Sequence, residues 1–153
     1  MNLYDFLKSV HVLAAVIWVG GAFTMQLLGS RAVSSRDPEK MAAFGQNAEW
    51  LGARVFMPAS LIVLVFGVWA VFEGSWSWGD FWILWGLAGI VFSAVVGATY
   101  LGPESAKIGA LSAQRGAEDS EVVRRRDRLV LVSRIELVIL LSVVLVMVAK
   151  PGA

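Results

Sequence analysis

Residues 81–101 read FWILWGLAGIVFSAVVGATYL. No Lys, Arg, Asp, Glu or His interrupts these 21 positions. A helix of that length covers about 30 Å at 1.5 Å per residue, which is the hydrocarbon thickness of a bilayer. In lipid no water reaches the backbone, so a spanning segment of this kind must be helical. Just before it lies EGSWSWGD, residues 73–80, a short polar turn. Before that turn, VFMPASLIVLVFGVWAVF at residues 55–72 is a second apolar run. Two more runs flank this hairpin, at about residues 3–30 (apolar centre Val10 to Leu28) and 129–149. The reading is an all-α, four-helix transmembrane bundle forming one membrane domain over residues 1–153.

Composition agrees. Of 153 residues, 58% are hydrophobic and 16% charged, against about 45–50% and about 25% for a soluble domain. This rules out intrinsic disorder and argues against a water-soluble enzyme domain. The net charge of +1 leaves no basic surface for nucleic acid. Cysteine is absent, which removes disulfides, thiolate metal sites, iron–sulfur clusters and cysteine nucleophiles. The first run is read as a retained helix. Its apolar stretch is too long for a signal peptide, Asp5 and Lys8 cancel, and no small-x-small cleavage site ends it.

Lys and Arg set the orientation. One connection carries Arg31, Arg36, Lys40 and Arg54. The other carries Lys107, Arg115, Arg124, Arg125, Arg126 and Arg128, with Arg134 just inside the last span. Together they hold 11 of the 13 basic residues. The positive-inside rule places both connections in the cytoplasm and both termini extracytoplasmic. The expected location is a cell membrane crossed several times, such as a bacterial inner membrane, with the lipid bilayer as the main partner. Trp69, Trp76, Trp78, Trp82 and Trp85 gather at the outer turn, as an interfacial belt does.

Asp37-Pro38-Glu39 is a helix-start signature. Met41, Phe44, Ala48 and Leu51 follow at helical spacing, so a short amphipathic helix along the inner membrane surface is expected there. Pro58 would sit in the first turn of the second span, where its missing donor costs little. Residues 103–128 read as a polar loop up to Asp119. Asp119 or Ser120 then caps a helix running through the arginines, which anchor topology and attract anionic lipid.

Ionisable groups within the spans are costly and tend to face the bundle interior. His11 is the only histidine. His11, Trp18 and Met25 are spaced by seven and share a face, flanked by Ala15, Ala22 and Gly29. Neutral imidazole ligates haem iron or another metal. The plain alternative is a histidine hydrogen-bonded to a neighbouring helix. One histidine cannot supply a bis-histidine haem site in a single chain. A second ligand would be methionine, lysine, water or a histidine of another subunit. Met147 lies at a compatible depth on the last span, although Met is more often packing material. Near the inner face, Arg54, Arg134, Glu136 and Gln26 form a second group. An Arg–Glu pair there would be a clamp or would hold propionates or phosphates. Gly86, Gly89, Ser93 and Gly97 line a close-packing face of the third span, against another helix or a second copy of the chain. No GxGxxG, P-loop, HExxH or nucleophile-elbow motif is present.

Lys8-x-x-His11, then Trp18, then Gly20-Gly21 resembles the first helix of the copper-resistance D-like group of membrane proteins. That group includes the bacterial J-type protoporphyrinogen oxidase and an uncharacterised family of predicted integral membrane proteins. Arg54-Val55-Phe56-Met57-Pro58-Ala59 with Gly67 is similar to the opening of their second helix. Arg134-Ile135-Glu136, with Val148-Ala149-Lys150-Pro151, resembles the oxidase's last helix. The oxidase's lysine near the start of its third helix has no counterpart in Phe81–Gly86, so the likeness is greatest to the uncharacterised branch. The resemblance implies a four-helix fold, with His11 and Glu136 carried over. It also implies haem b as the cofactor of a redox protein. The rival expectations are a non-catalytic accessory or scaffold subunit packing through its third span, and handling of copper or another small cation by His11.

Overall fold

The computed structural model describes residues 2–35 and 37–152; Arg36, counted above in the cytoplasmic charge, lies outside them. Helix α1 runs Leu3–Ser34, α2 Pro38–Leu51, α3 Met57–Glu73, α4 Phe81–Val96, α5 Gly102–Arg115 and α6 Ser120–Ala149. Single π turns, Gly52–Phe56 and Gly97–Leu101, join α2 to α3 and α4 to α5. The described residues therefore form four continuous rods, each long and apolar enough to cross a membrane.

Three of the four rods start where the sequence supplies a side-chain acceptor for the orphan amides of a first turn. Asn2 Oδ1 accepts from the Asp5 amide at 2.8 Å. Asp37 Oδ1 accepts from Glu39 at 3.0 Å, and Asp119 Oδ1 from Glu121 at 2.9 Å. At the far end of α5, Gly116 takes a positive φ of 89°, a backbone conformation that glycine adopts with least strain.

The rods pack as an antiparallel ring in chain order. α1 lies on α3, α4 on α6, and α6 on α1, with a lighter seam between α3 and α4. Short connections make sequential helices antiparallel neighbours. The central core takes Ala14 and Trp18 from α1, Ala59 and Val63 from α3, Ile90 from α4 and Leu140 from α6. Trp18 and its small flanking residues Ala15 and Ala22 thus face inward, as the seven-residue stripe implied. A second cluster of Val71, Trp82 and Ile83, with Trp76, Leu87, Val146 and Met147 packed on it, closes one end.

Two expectations change. The polar stretch after Leu101 is helical to Arg115, because its Ala, Lys, Gln and Arg residues favour a helix and Ile108 is buried. Arg125 of α6 bonds Glu104 of α5 at 2.7 Å, and Arg115 bonds Glu121 at 2.9 Å, tying that hairpin shut. Pro58 lies in the first turn of α3, as expected, but helical backbone precedes it without a break from Pro38, so α2 and α3 form one rod and not a separate surface helix and span. The strain falls on the π turn before it. Proline lacks a donor and crowds the carbonyl four residues back, and a widened turn absorbs that misfit. The same device recurs at Gly97–Leu101 before Pro103. Consequently α2 continues into α3 and packs on α1 and α5, extending the bundle.

The glycine face of α4 is used within the chain. A side chain at Gly86 would collide with the Met147 methyl, and one at Gly89 with Val143, both on α6. Overpacking a fitted interface costs about 1–3 kcal/mol. Gly89→Leu is therefore expected to lower the thermal midpoint in detergent while leaving the oligomeric mass, by size exclusion with light scattering, unchanged. A changed mass at an unchanged midpoint would put this face between copies.

Candidate functional site

His11 lies on α1, two turns from its start, and is half-buried. Its ring enters the notch that Gly67 leaves on α3. A methyl at Gly67 would sit 2.7 Å from both Cε1 and Nδ1 of the imidazole. The ring's Nδ1 lies 2.7 Å from the Val63 carbonyl oxygen. A carbonyl only accepts, so Nδ1 carries the proton and donates. That fixes the tautomer and leaves Nε2 with the lone pair. Nε2 has no hydrogen bond among the described residues, and it is not one of their fully enclosed, partnerless nitrogens.

Three further side-chain bonds within the spans run between helices. Ser93 of α4, itself buried, donates to Glu136 of α6. Ser133 of α6 donates to Gln26 of α1 at 2.8 Å. Trp85 Nε1 donates to Ser142 at 3.1 Å. Each is a cross-helix bond of the kind that aligns membrane helices.

The expected inner group separates. Neither Arg54 nor Arg134 pairs with Glu136; the ion pairs among the described residues join Lys8–Asp5, Lys40–Asp37, Arg115–Glu121, Arg125 with Glu104 and Glu121, and Arg126–Asp127. Glu136 faces α4 and its serine, while Arg54 belongs to the first π turn. Arg134 lines a cleft with Ser30, Ser34 and Asp127. Met147 is likewise apart from His11. Its methyl fills the Gly86 notch beside Trp82, whereas His11 fills the Gly67 notch. Depth alone had paired them; the two side chains enter different notches, on α4 and on α3.

The outer aromatic group divides too. Trp69, Trp78 and Trp85 are exposed, as a belt requires, but Trp82 is 6% exposed. Trp76 meets it edge-on at 5.3 Å and donates to the Tyr4 hydroxyl at 3.2 Å. The Lys150 ammonium lies 4.2 Å from the Trp76 ring centre and 4.9 Å from that of Trp82. This cation–π seat docks the end of α6 onto the α3–α4 turn. Its sequence signal was a lone cation beside a tryptophan-rich turn. No group of three or more His, Cys, Asp or Glu that could hold a metal occurs among the described residues.

Four apolar rods, clamped by polar bonds at membrane depth, define a multi-pass integral membrane protein. The chain belongs to the family described as "Predicted integral membrane protein (DUF2269)", whose model matches residues 5–151. Comparison with curated proteins and with solved structures gives no match. The family match carries no link to the copper-resistance D-like group or to protoporphyrinogen oxidase.

Because His11 is the sole histidine, it is a single-site probe. With histidine-selective 15N labelling, NMR is expected to show one neutral Nδ1–H ring. Gly67→Ala is expected to displace that ring and shift both nitrogen signals. An Nε2–H tautomer in the unmodified protein would contradict the Val63 bond.

Proposed function

We propose that this is a haem- or porphyrin-associated membrane protein with a redox role, in which His11 Nε2 would hold the iron. The observation that supports this is the engagement of Nδ1 by the Val63 carbonyl. Ligating imidazoles characteristically donate their other ring nitrogen to a carbonyl or carboxylate, which fixes ring orientation and raises basicity. The residue that would hold the group is His11, with Nδ1 engaged by Val63 and Nε2 left to ligate. Met147, held in the Gly86 notch, is not a second. Haem b, when bound, supplies a one-electron couple. The chain's own part is to hold the imidazole against α3, in the register that Gly67 permits.

The inner arginines stand outside this reading. Gln26, which fixes the depth of Ser133 and hence of neighbouring Arg134, is 15 residues from His11, about 22 Å along α1. Propionate contacts of a ring held by His11 are therefore not assigned to Arg54, Arg134 or Glu136. The copper reading also rests on His11 and shares the same test.

A second reading, a non-catalytic accessory subunit, is favoured by the cross-helix pairing of the polar groups in the spans. On that reading His11 is a helix clamp. The third span would not be its docking face, because α6 covers Gly86 and Gly89.

An optical spectrum of the detergent-purified protein, with haem and metal analysis, separates the readings. A Soret band in the wild type, or on adding haem, and its loss in His11→Ala with the fold retained, is the expected result. Absence of any band after haem addition sinks the porphyrin reading, and metal binding that His11→Ala abolishes favours the cation reading. For orientation we infer extracytoplasmic termini, so a C-terminal alkaline phosphatase fusion is expected to be active. An active fusion at residue 116 instead would invert the topology.

A further inference from the structure

Two open clefts meet along the half of α1 that ends at Ser34. One, about 310 Å³, lies between Ser30, Val33 and Ser34 of α1 and Asp127, Val130, Leu131 and Arg134 of α6. The other, about 450 Å³, is lined by Thr24, Leu27, Leu28 and Arg31, and shares Ser30 and Ser34 with the first. The floor is apolar and faces outward, since Leu27, Leu28 and Leu131 are each about half exposed.

The two arginines make this more than a furrow. Neither Arg31 nor Arg134 has a carboxylate partner among the described residues. Arg134 lies five residues inside the apolar run that begins at Leu129. Cations at such depth pair, or reach for the interface, because the unpaired charge is costly in hydrocarbon. Side chains tilt towards the N-terminus of their helix. α6 ascends from the Arg-rich end and α1 descends to it. Arg134 therefore leans back towards that end and Arg31 leans inward, so both converge on the level of Ser30. The Gln26–Ser133 bond pins the two helices just beyond this point. Asp127, the one acid in the cleft, lies seven residues from Arg134, about 10 Å along the helix, and has Arg126 at 3.6 Å.

We infer that the α1–α6 cleft binds one anionic glycerophospholipid of the leaflet at the Arg-rich end, its phosphate between Arg31 and Arg134 and its acyl chains along Leu27, Leu28 and Leu131. The match is of charge to charge and of apolar wall to hydrocarbon. Anionic lipid is the anion that a bilayer supplies at this level. The site is distinct from His11, which lies at the other end of α1.

Native mass spectrometry of the delipidated full chain, titrated with phosphatidylglycerol or with phosphatidylcholine, tests it. One phosphatidylglycerol adduct is expected at a Kd at least tenfold below that for phosphatidylcholine. The double substitution Arg31→Gln with Arg134→Gln is expected to raise that Kd tenfold or more. The exposed pair Arg124→Gln with Arg128→Gln, neither of which lines either cleft, is expected to change it less than threefold. Ser34→Phe keeps both arginines and fills the cleft, so it is expected to remove the adduct even if the charge variants fold poorly. Equal loss in the two arginine pairs would reduce the effect to diffuse surface charge. Equal affinity for phosphatidylcholine, or displacement by inorganic phosphate, would overturn the lipid assignment.

Discussion

Close approach of helix backbones, allowed by glycine and fixed by a single opposing side chain, is the constraint on which this bundle depends. Lipid tails are as apolar as leucine, so burying leucine against leucine gives little reason for helices to associate. Fit and hydrogen bonds must do so. The imidazole of His11 enters at Gly67, Phe56 at Gly21, Met147 at Gly86 and Val143 at Gly89. Each notch sets distance and rotation together. The polar bonds then lock the depth: Val63 with His11, Ser133 with Gln26, Ser93 with Glu136.

That order of causes explains why so much outward surface is apolar. Leu13, Val16, Leu61, Val138 and Val148 are among the exposed large side chains. In water such a surface would mark aggregation. Around four rods of bilayer length it is the face presented to acyl chains. Beyond the membrane the rods remain helical and change their adhesive. Val122 is fully buried, and Arg125, Glu104, Glu121 and Arg115 form a charged network. The two π turns mark the passage between these regimes, each followed by a proline. Arg54 and Tyr100 lie within them.

The haem reading draws on a small part of this framework. An imidazole anchored through Nδ1 is equally a good clamp between α1 and α3, and chemistry at Nε2 distinguishes the two. The Gly67 notch serves both, because it brings the Val63 carbonyl within reach of the ring. The arginines belong to another setting. Their place beside an outward-facing apolar cleft connects them with lipid and not with the imidazole.

The spans, their antiparallel order and the inward face of Trp18 were legible in the sequence, because length, apolarity and seven-residue spacing act locally. Asp37 and Asp119 likewise announced their helices through chemistry confined to one turn. What the chain alone did not reveal was rotation about each helix axis. Glu136 meets Ser93 instead of Arg54, and Met147 meets Gly86 instead of His11, because residues at one depth can lie on opposite sides of a rod. The stretch at 102–115 carries good helix formers, but its polarity hid the order, which is completed by burial of Ile108 and by ion pairs with α6. Local spacing determines that a segment crosses the membrane; only packing against three neighbours decides which side chains meet inside it.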